Sequence, residues 1–144
     1  MYRNEDIGFI IKLIGDAIET KANQKLKHYD MTLSQGRVLS YLHHRRGMKT
    51  SQRDMEEYFQ VTHPTIIGIL KRLESKGLIT SEYDTVDKRI KNVYLTRDHE
   101  SKSIKASDFQ VEMEETLVRG FTVEQISELK EALFTLYRNI ENEA

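Results

Sequence analysis

Apolar residues recur along most of this chain at alternating steps of three and four, the spacing that lines one face of an α-helix. Ile7, Ile10, Ile11, Ile14, Ala17, Ile18, Ala22 and Leu26 form one such stripe and predict a long first helix running to about His28. Thr32 or Ser34 then caps a second helix that buries Val38, Leu39 and Leu42 and stops near Gly47. Ser51 caps a short third helix, with Asp54 at its positive end and Met55, Tyr58 and Phe59 facing inward. After a turn at Val61, a fourth helix starts at Thr62 with Pro64 in its first turn, where a missing N–H costs little. It turns Ile66, Ile69, Leu70 and Leu73 to the core and ends at Lys76-Gly77.

Past Gly77 the period changes from helical to alternating. Ile79, Ser81 and Tyr83 on one side and Ile90 to Leu95 on the other predict two strands, joined by the polar tip Asp84-Thr85-Val86-Asp87-Lys88-Arg89. Helical spacing then returns over about Asp98 to Val118 and Thr122 to Asn142, and Thr122 with Gln125 has capping-box spacing. Ile126, Leu129, Leu133, Leu136 and Ile140 make a seam too apolar for a lone terminal helix to leave in water, so it calls for a partner. The fold class is mostly α with a small β-wing: a pair of helices followed by a hairpin, flanked by long helices.

Charge sharpens this outline. From Asp108 onward nine acids face three bases, so residues 1 to 107 carry a net +5 beneath a total of −1. Between Met31 and Arg53 no acid occurs, while Arg37, Arg45, Arg46, Lys49 and Arg53 accompany His43 and His44. Such a stretch suits a phosphate-facing surface, although charge alone fits a solvated face equally well. His43 to Arg46 also sit where basic side chains satisfy the last carbonyls of a helix. The chain has 144 residues, enough for one ordinary domain with a core, and no cysteine, which excludes disulfides, thiolate metal sites and thiol chemistry. Neither a long apolar run nor a signal-peptide pattern is present, and the expectation is a cytoplasmic protein with no membrane association. The five histidines lack metal-ligand spacing, and no phosphate loop, nucleophile elbow or dinucleotide fingerprint occurs, so the reading is not an enzyme, with no metal and no cofactor.

The order of these pieces resembles the MarR family of bacterial regulators over nearly the entire chain. The resemblance rests on Leu33-Ser34-Gln35-Gly36-Arg37-Val38-Leu39, the helix pair from Ser51 to Phe59 and Thr62 to Ser75, Leu73-Glu74-Ser75-Lys76-Gly77-Leu78-Ile79, the tip Asp87-Lys88-Arg89, and Val93-Tyr94-Leu95-Thr96. It implies a winged helix-turn-helix lobe over residues 32–96, with the helix-turn-helix at about 51–76 and the wing at about 79–96. It also implies a homodimer built by helices in 1–30 and 98–144, with Ile7, Ile10, Ile14, Ile126, Leu129, Leu133, Leu136 and Ile140 at the interface. The implied function is that of a regulator, in the repressor sense, which binds a pseudo-palindromic operator in double-stranded DNA and is released by a small aromatic or anionic effector. Phe9, Tyr29 and Tyr41 lie near where such an effector would bind, and core packing explains them equally well. One departure stands out: family members often carry a glycine shortly after the Leu-Thr, where this chain has Arg97-Asp98-His99-Glu100.

The chemistry of such an interface also follows from general principles. An α-helix fits the major groove, and the first turn of the second helix meets the base edges. Thr62, His63, Pro64 and Thr65 occupy that turn; Thr65 offers a hydroxyl and a methyl, and His63 can donate to or accept from a base. Gly68 would allow close approach, and Lys71 and Arg72 are placed for phosphates. Ser51 and Gln52 open the third helix, where an anion is favoured. At the wing, Arg89 is the candidate for the minor groove, oriented by Asp87, with Lys88 on a phosphate. The competing reading is a winged-helix protein–protein interaction module without sequence-specific DNA binding, in which the basic residues are incidental.

Overall fold

A computed structural model describes residues 5–143. Its elements run α1 (Ile7–Leu26), α2 (Leu33–His44), α3 (Gln52–Phe59), α4 (His63–Ser75), β1 (Ile79–Tyr83), β2 (Lys91–Leu95), α5 (Glu100–Leu117) and α6 (Val123–Glu141). Local chemistry explains most of these boundaries. Thr32, Ser51 and Thr122 each close a full capping box, their side chains accepting from the N3 amide while the N3 side chain returns to the cap amide. Asp6 and Thr62 cap α1 and α4 through a single side-chain bond. Between α1 and α2 a single 3-10 turn, Lys27–Tyr29, ends at Asp30 in a left-handed conformation. A second such turn, Arg97–His99, leads into α5 where the family pattern has glycine, and His99 Nδ1 meets the Thr96 carbonyl there.

The chain separates into two compact units, one up to Gln110 and one from Val111 onward. In the first, Leu26 of α1, Val38, Leu39 and Leu42 of α2, Met55 of α3, and Ile66, Leu70 and Leu73 of α4 are buried, joined by Ile79 and Val93 from the hairpin. Gly36 lies where helices approach closely, since a Cβ there would lie 3.3 Å from Leu26 Cδ1 and 3.6 Å from Ala106 Cβ. Two positions expected inside are not. Tyr58 is 65% exposed, and Ile69 is only half-buried. Each lies three residues after a fully buried one, Met55 and Ile66, which rotates it some 60° off the centre of the buried stripe. Phe59 and Leu70, four residues after the same anchors, lie closer to the core.

β1 and β2 pair antiparallel in the register Ile79↔Leu95 to Tyr83↔Lys91. Their base is tied to the segment between α2 and α3: Ser51 bridges Asn92, and the Val93 amide donates to the Thr50 carbonyl at 2.8 Å. Arg45 reinforces that segment, donating through Nε to Thr50 Oγ1 at 2.9 Å and from its guanidinium to the Lys49 carbonyl. His44 Nδ1 meets the Ser40 carbonyl at 2.7 Å, one turn inside the end of α2. The second unit holds the end of α5 and all of α6, on which no residue is buried.

Candidate nucleic-acid interface

The helix pair α3–α4 turns on Gln60, whose φ of 53° places it in the left-handed region, and on Val61. Thr62 then caps α4, with its Oγ1 also 3.0 Å from Thr65 Oγ1. The result is an α4 amino terminus in which Thr62, His63, Pro64 and Thr65 are all exposed. Lys71 and Arg72 are exposed further along the same helix. Gly68 has nothing within 4 Å of where a Cβ would stand, so its neighbourhood is open space on the protein side. Pro64, Thr65, Gly68 and Arg72 border an open groove of about 1020 Å³ whose opposite wall includes Lys12, Asp16 and Glu19 of α1.

At the start of α3 the Ser51 amide donates to Asp54 at 2.9 Å, and the Ser51 hydroxyl accepts from the Asp54 amide at 3.0 Å. The hydroxyl keeps its hydrogen for an outside acceptor, and Gln52 is half-exposed beside it. The Asp54 carboxylate already occupies part of the positive end that an incoming phosphate would use, so the dipole's attraction for an anion there is reduced.

The wing tip carries the most ordered polar geometry. Arg89 donates to Asp87 through two parallel bonds of 3.0 Å, from Nε to Oδ1 and from a terminal nitrogen to Oδ2, while its side chain stays 90% exposed. The same carboxylate accepts from the Arg89 amide at 3.1 Å. This pairing holds the Asp87 carboxyl below its ordinary range and raises the Arg89 guanidinium. Lys88 is exposed next to it.

Two carboxylates that matter here escaped the sequence reading. Asp84 accepts from the amides of Asp87 and Val86, from Lys49 Nζ at 2.9 Å and from Asn92 Nδ2 at 2.9 Å. The backbone donors, led by the Asp87 amide, together with Lys49 and Asn92, push its carboxyl far below the usual range. Asp84 thus locks the wing turn to the hairpin and to the α2–α3 segment. The Asp-x-x-Asp spacing at the tip was a local signal for a side chain capping a turn; Lys49, 35 residues away, gave none. Glu56 of α3 is the second, with Oε1 2.8 Å from His63 Nδ1.

Two further features border these elements. Tyr41, Tyr58 and Phe59 pack with ring centroids 4.4 to 5.4 Å apart and wall a cavity of about 470 Å³ that Arg37, His44 and Gln110 complete. Among the described residues, no three metal-ligating side chains converge, and no helix is long and apolar enough to cross a membrane.

A family model described as MarR family matches residues 29–90. The helix-turn-helix-type transcriptional regulator YwoH of Bacillus subtilis is 33% identical over 121 residues, spanning 84% of this chain and 83% of that protein. Among solved structures, S. aureus MepR in complex with DNA superposes with a TM-score of 0.87 at 30% identity, over 93% of this chain and 98% of MepR. The regulator MarR from Oenococcus oeni, at 23% identity, shares the fold with a TM-score of 0.82 over 92% of this chain and 99% of its own. With the helix pair, the wing and these relatives in agreement, the chain belongs to the MarR family of winged helix-turn-helix transcriptional regulators.

Proposed function

We propose that this regulator binds a pseudo-palindromic operator in duplex DNA as a homodimer and acts as a cytoplasmic repressor. The lobe of residues 32–96 makes the contacts, and helices in 1–30 and 98–144 make the dimer. This division differs from the two compact units because α1 and the first part of α5 both fall in the first unit, with Ala22, Leu26, Ser103 and Ala106 buried. Recognition helix α4 places Thr62, His63, Pro64 and Thr65 at base edges and Lys71 and Arg72 at phosphates, with Gly68 allowing close approach. Ser51 and Gln52 take a phosphate at the start of α3, and Lys88 takes one at the wing. The observation that carries this reading is the Asp87–Arg89 pair. A guanidinium held at both ends of a carboxylate yet left 90% exposed is aimed at something outside the protein. A narrow minor groove, with its concentrated negative potential, is the fitting target.

The cavity beside Tyr41, Tyr58 and Phe59 supports an effector that is aromatic and anionic, since it combines flat apolar walls with the Arg37 cation. Because it touches α2 and α3, occupancy would be felt by the helix pair. Phenolic compounds that leave operator affinity unchanged across a screen would remove this part of the reading.

Selection from a pool of random duplexes by the purified full-length protein, repeated at two salt concentrations, tests the whole. An enriched inverted repeat with half-sites about 34 to 36 Å apart and steep salt dependence is the expected result. Absent or salt-insensitive binding by a folded dimer would identify a protein–protein interaction module instead.

A further inference from the structure

We propose that Glu56 is a positioning residue that sets the base preference of the recognition helix by fixing which ring nitrogen of His63 carries the proton. This rests on the reading of α4 as the DNA-contacting helix. Glu56 lies in the last turn of α3, seven residues before His63, and the left-handed turn at Gln60 brings the two together with Oε1 and Nδ1 2.8 Å apart. The two side chains differ in access: that of Glu56 is 20% exposed and that of His63 is 64% exposed. The carboxylate is tucked against the protein while the ring projects from the first residue of α4.

An ionised carboxylate has only lone pairs to offer, so the hydrogen of this bond belongs to Nδ1. In the neutral ring that leaves Nε2 without a hydrogen, an acceptor on the side of the imidazole away from Glu56. An acceptor in the major groove reads an amino group, N6 of adenine or N4 of cytosine, and is mismatched to the O6 and N7 acceptors of guanine. A histidine released from Glu56 is free to carry its hydrogen on Nε2 and present the opposite pattern. Glu56 therefore turns an ambiguous reader into a reader of amino groups.

The test is selection from random duplexes at pH 8 by the full-length protein and by Glu56→Ala, Glu56→Gln, His63→Ala and the Glu56→Ala/His63→Ala pair. The native chain should enrich adenine or cytosine at one position in each half-site. Glu56→Ala should still select the rest of the operator but lose that preference, a change of about five- to tenfold at that position. Glu56→Gln keeps the size of the side chain but offers Nδ1 a donor as well as an acceptor, so it no longer fixes the ring hydrogen and should weaken the preference as Glu56→Ala does. In the His63→Ala background, loss of Glu56 should change nothing further. Equal strengthening of binding to every sequence by both Glu56 variants would overturn the proposal, leaving Glu56 a simple repeller of phosphate. A native preference for guanine at that position would overturn it as well. Absence of any enriched site for the native chain would instead defeat the DNA-reading assignment on which the proposal stands.

Discussion

In the proposed reading, Arg89 is a long, flexible cation held ready for a narrow groove. A free arginine side chain loses rotamer entropy when it enters a groove, and the planar fork of Asp87 removes part of that loss in advance. Arg89→Ala should therefore weaken operator binding and make its salt dependence shallower while leaving the dimer intact. Fluorescence anisotropy over a salt series reads both effects, and an unchanged affinity would take Arg89 out of the interface. Behind Arg89, Asp84 holds the turn itself. Its native carboxyl titrates far below the ordinary value of about 3.9, because four donors favour the charged form. Its contribution to wing order is thus fully present above the ordinary carboxylate range and is lost only as pH falls through the much lower native value. The side-chain carbon shift of Asp84, followed by NMR, should stay flat from neutral pH to well below that range, with the Val86 and Asp87 amides unmoved. A midpoint near the ordinary value would show that the donors do not hold it.

At the scale of elements, the helix pair stands on a few anchors buried from all sides. Leu73 of α4 is fully buried, whereas Ile69, one turn earlier on the edge of the stripe, is half-buried. Leu73→Ala should cost about 2 to 5 kcal/mol and Ile69→Ala clearly less, because only the first leaves a closed cavity. Urea unfolding at one fixed protein concentration measures both, and equal losses would show that α4 packs differently. The same contrast explains what was legible in the sequence. Caps such as Ser51 with Asp54 were readable because both partners lie within one turn of each other. The Asp87–Arg89 pair was readable for the same reason. Tyr58 was misplaced because on an eight-residue helix three apolar side chains fit one face by spacing, while packing buries Met55 fully and Phe59 only in part. Glu56 and Lys49 were not read as partners because the bonds they make close only after a turn or a hairpin has formed, 7 and 35 residues along the chain.

For the whole molecule, the decisive feature is apolar surface that one chain leaves in water. On α6, Leu129, Leu133, Phe134, Tyr137 and Ile140 are all exposed, with Ile126 and Leu136 half-buried, and on α1 Ile7 and Ile14 are exposed. A row of exposed apolar side chains along a single helix such as α6 is rare on monomers and is the material of obligate interfaces. The proposed dimer would also couple two lobes of modest footprint, which raises affinity without new contacts. Placing a charge in the seam therefore separates two kinds of stability. Leu133→Glu should yield a monomer in sedimentation, because a carboxylate buried against a second apolar helix has no partner. The core around Met55, Ile66 and Leu73, which is complete within one chain, should remain folded by circular dichroism. Operator affinity should fall by at least a hundredfold, the low end of the gain that linking two sites provides, and a single half-site should now bind nearly as well as the full operator. A variant that stays dimeric would move the interface away from α6. One that becomes monomeric yet keeps full operator affinity would mean that a lone lobe suffices for recognition.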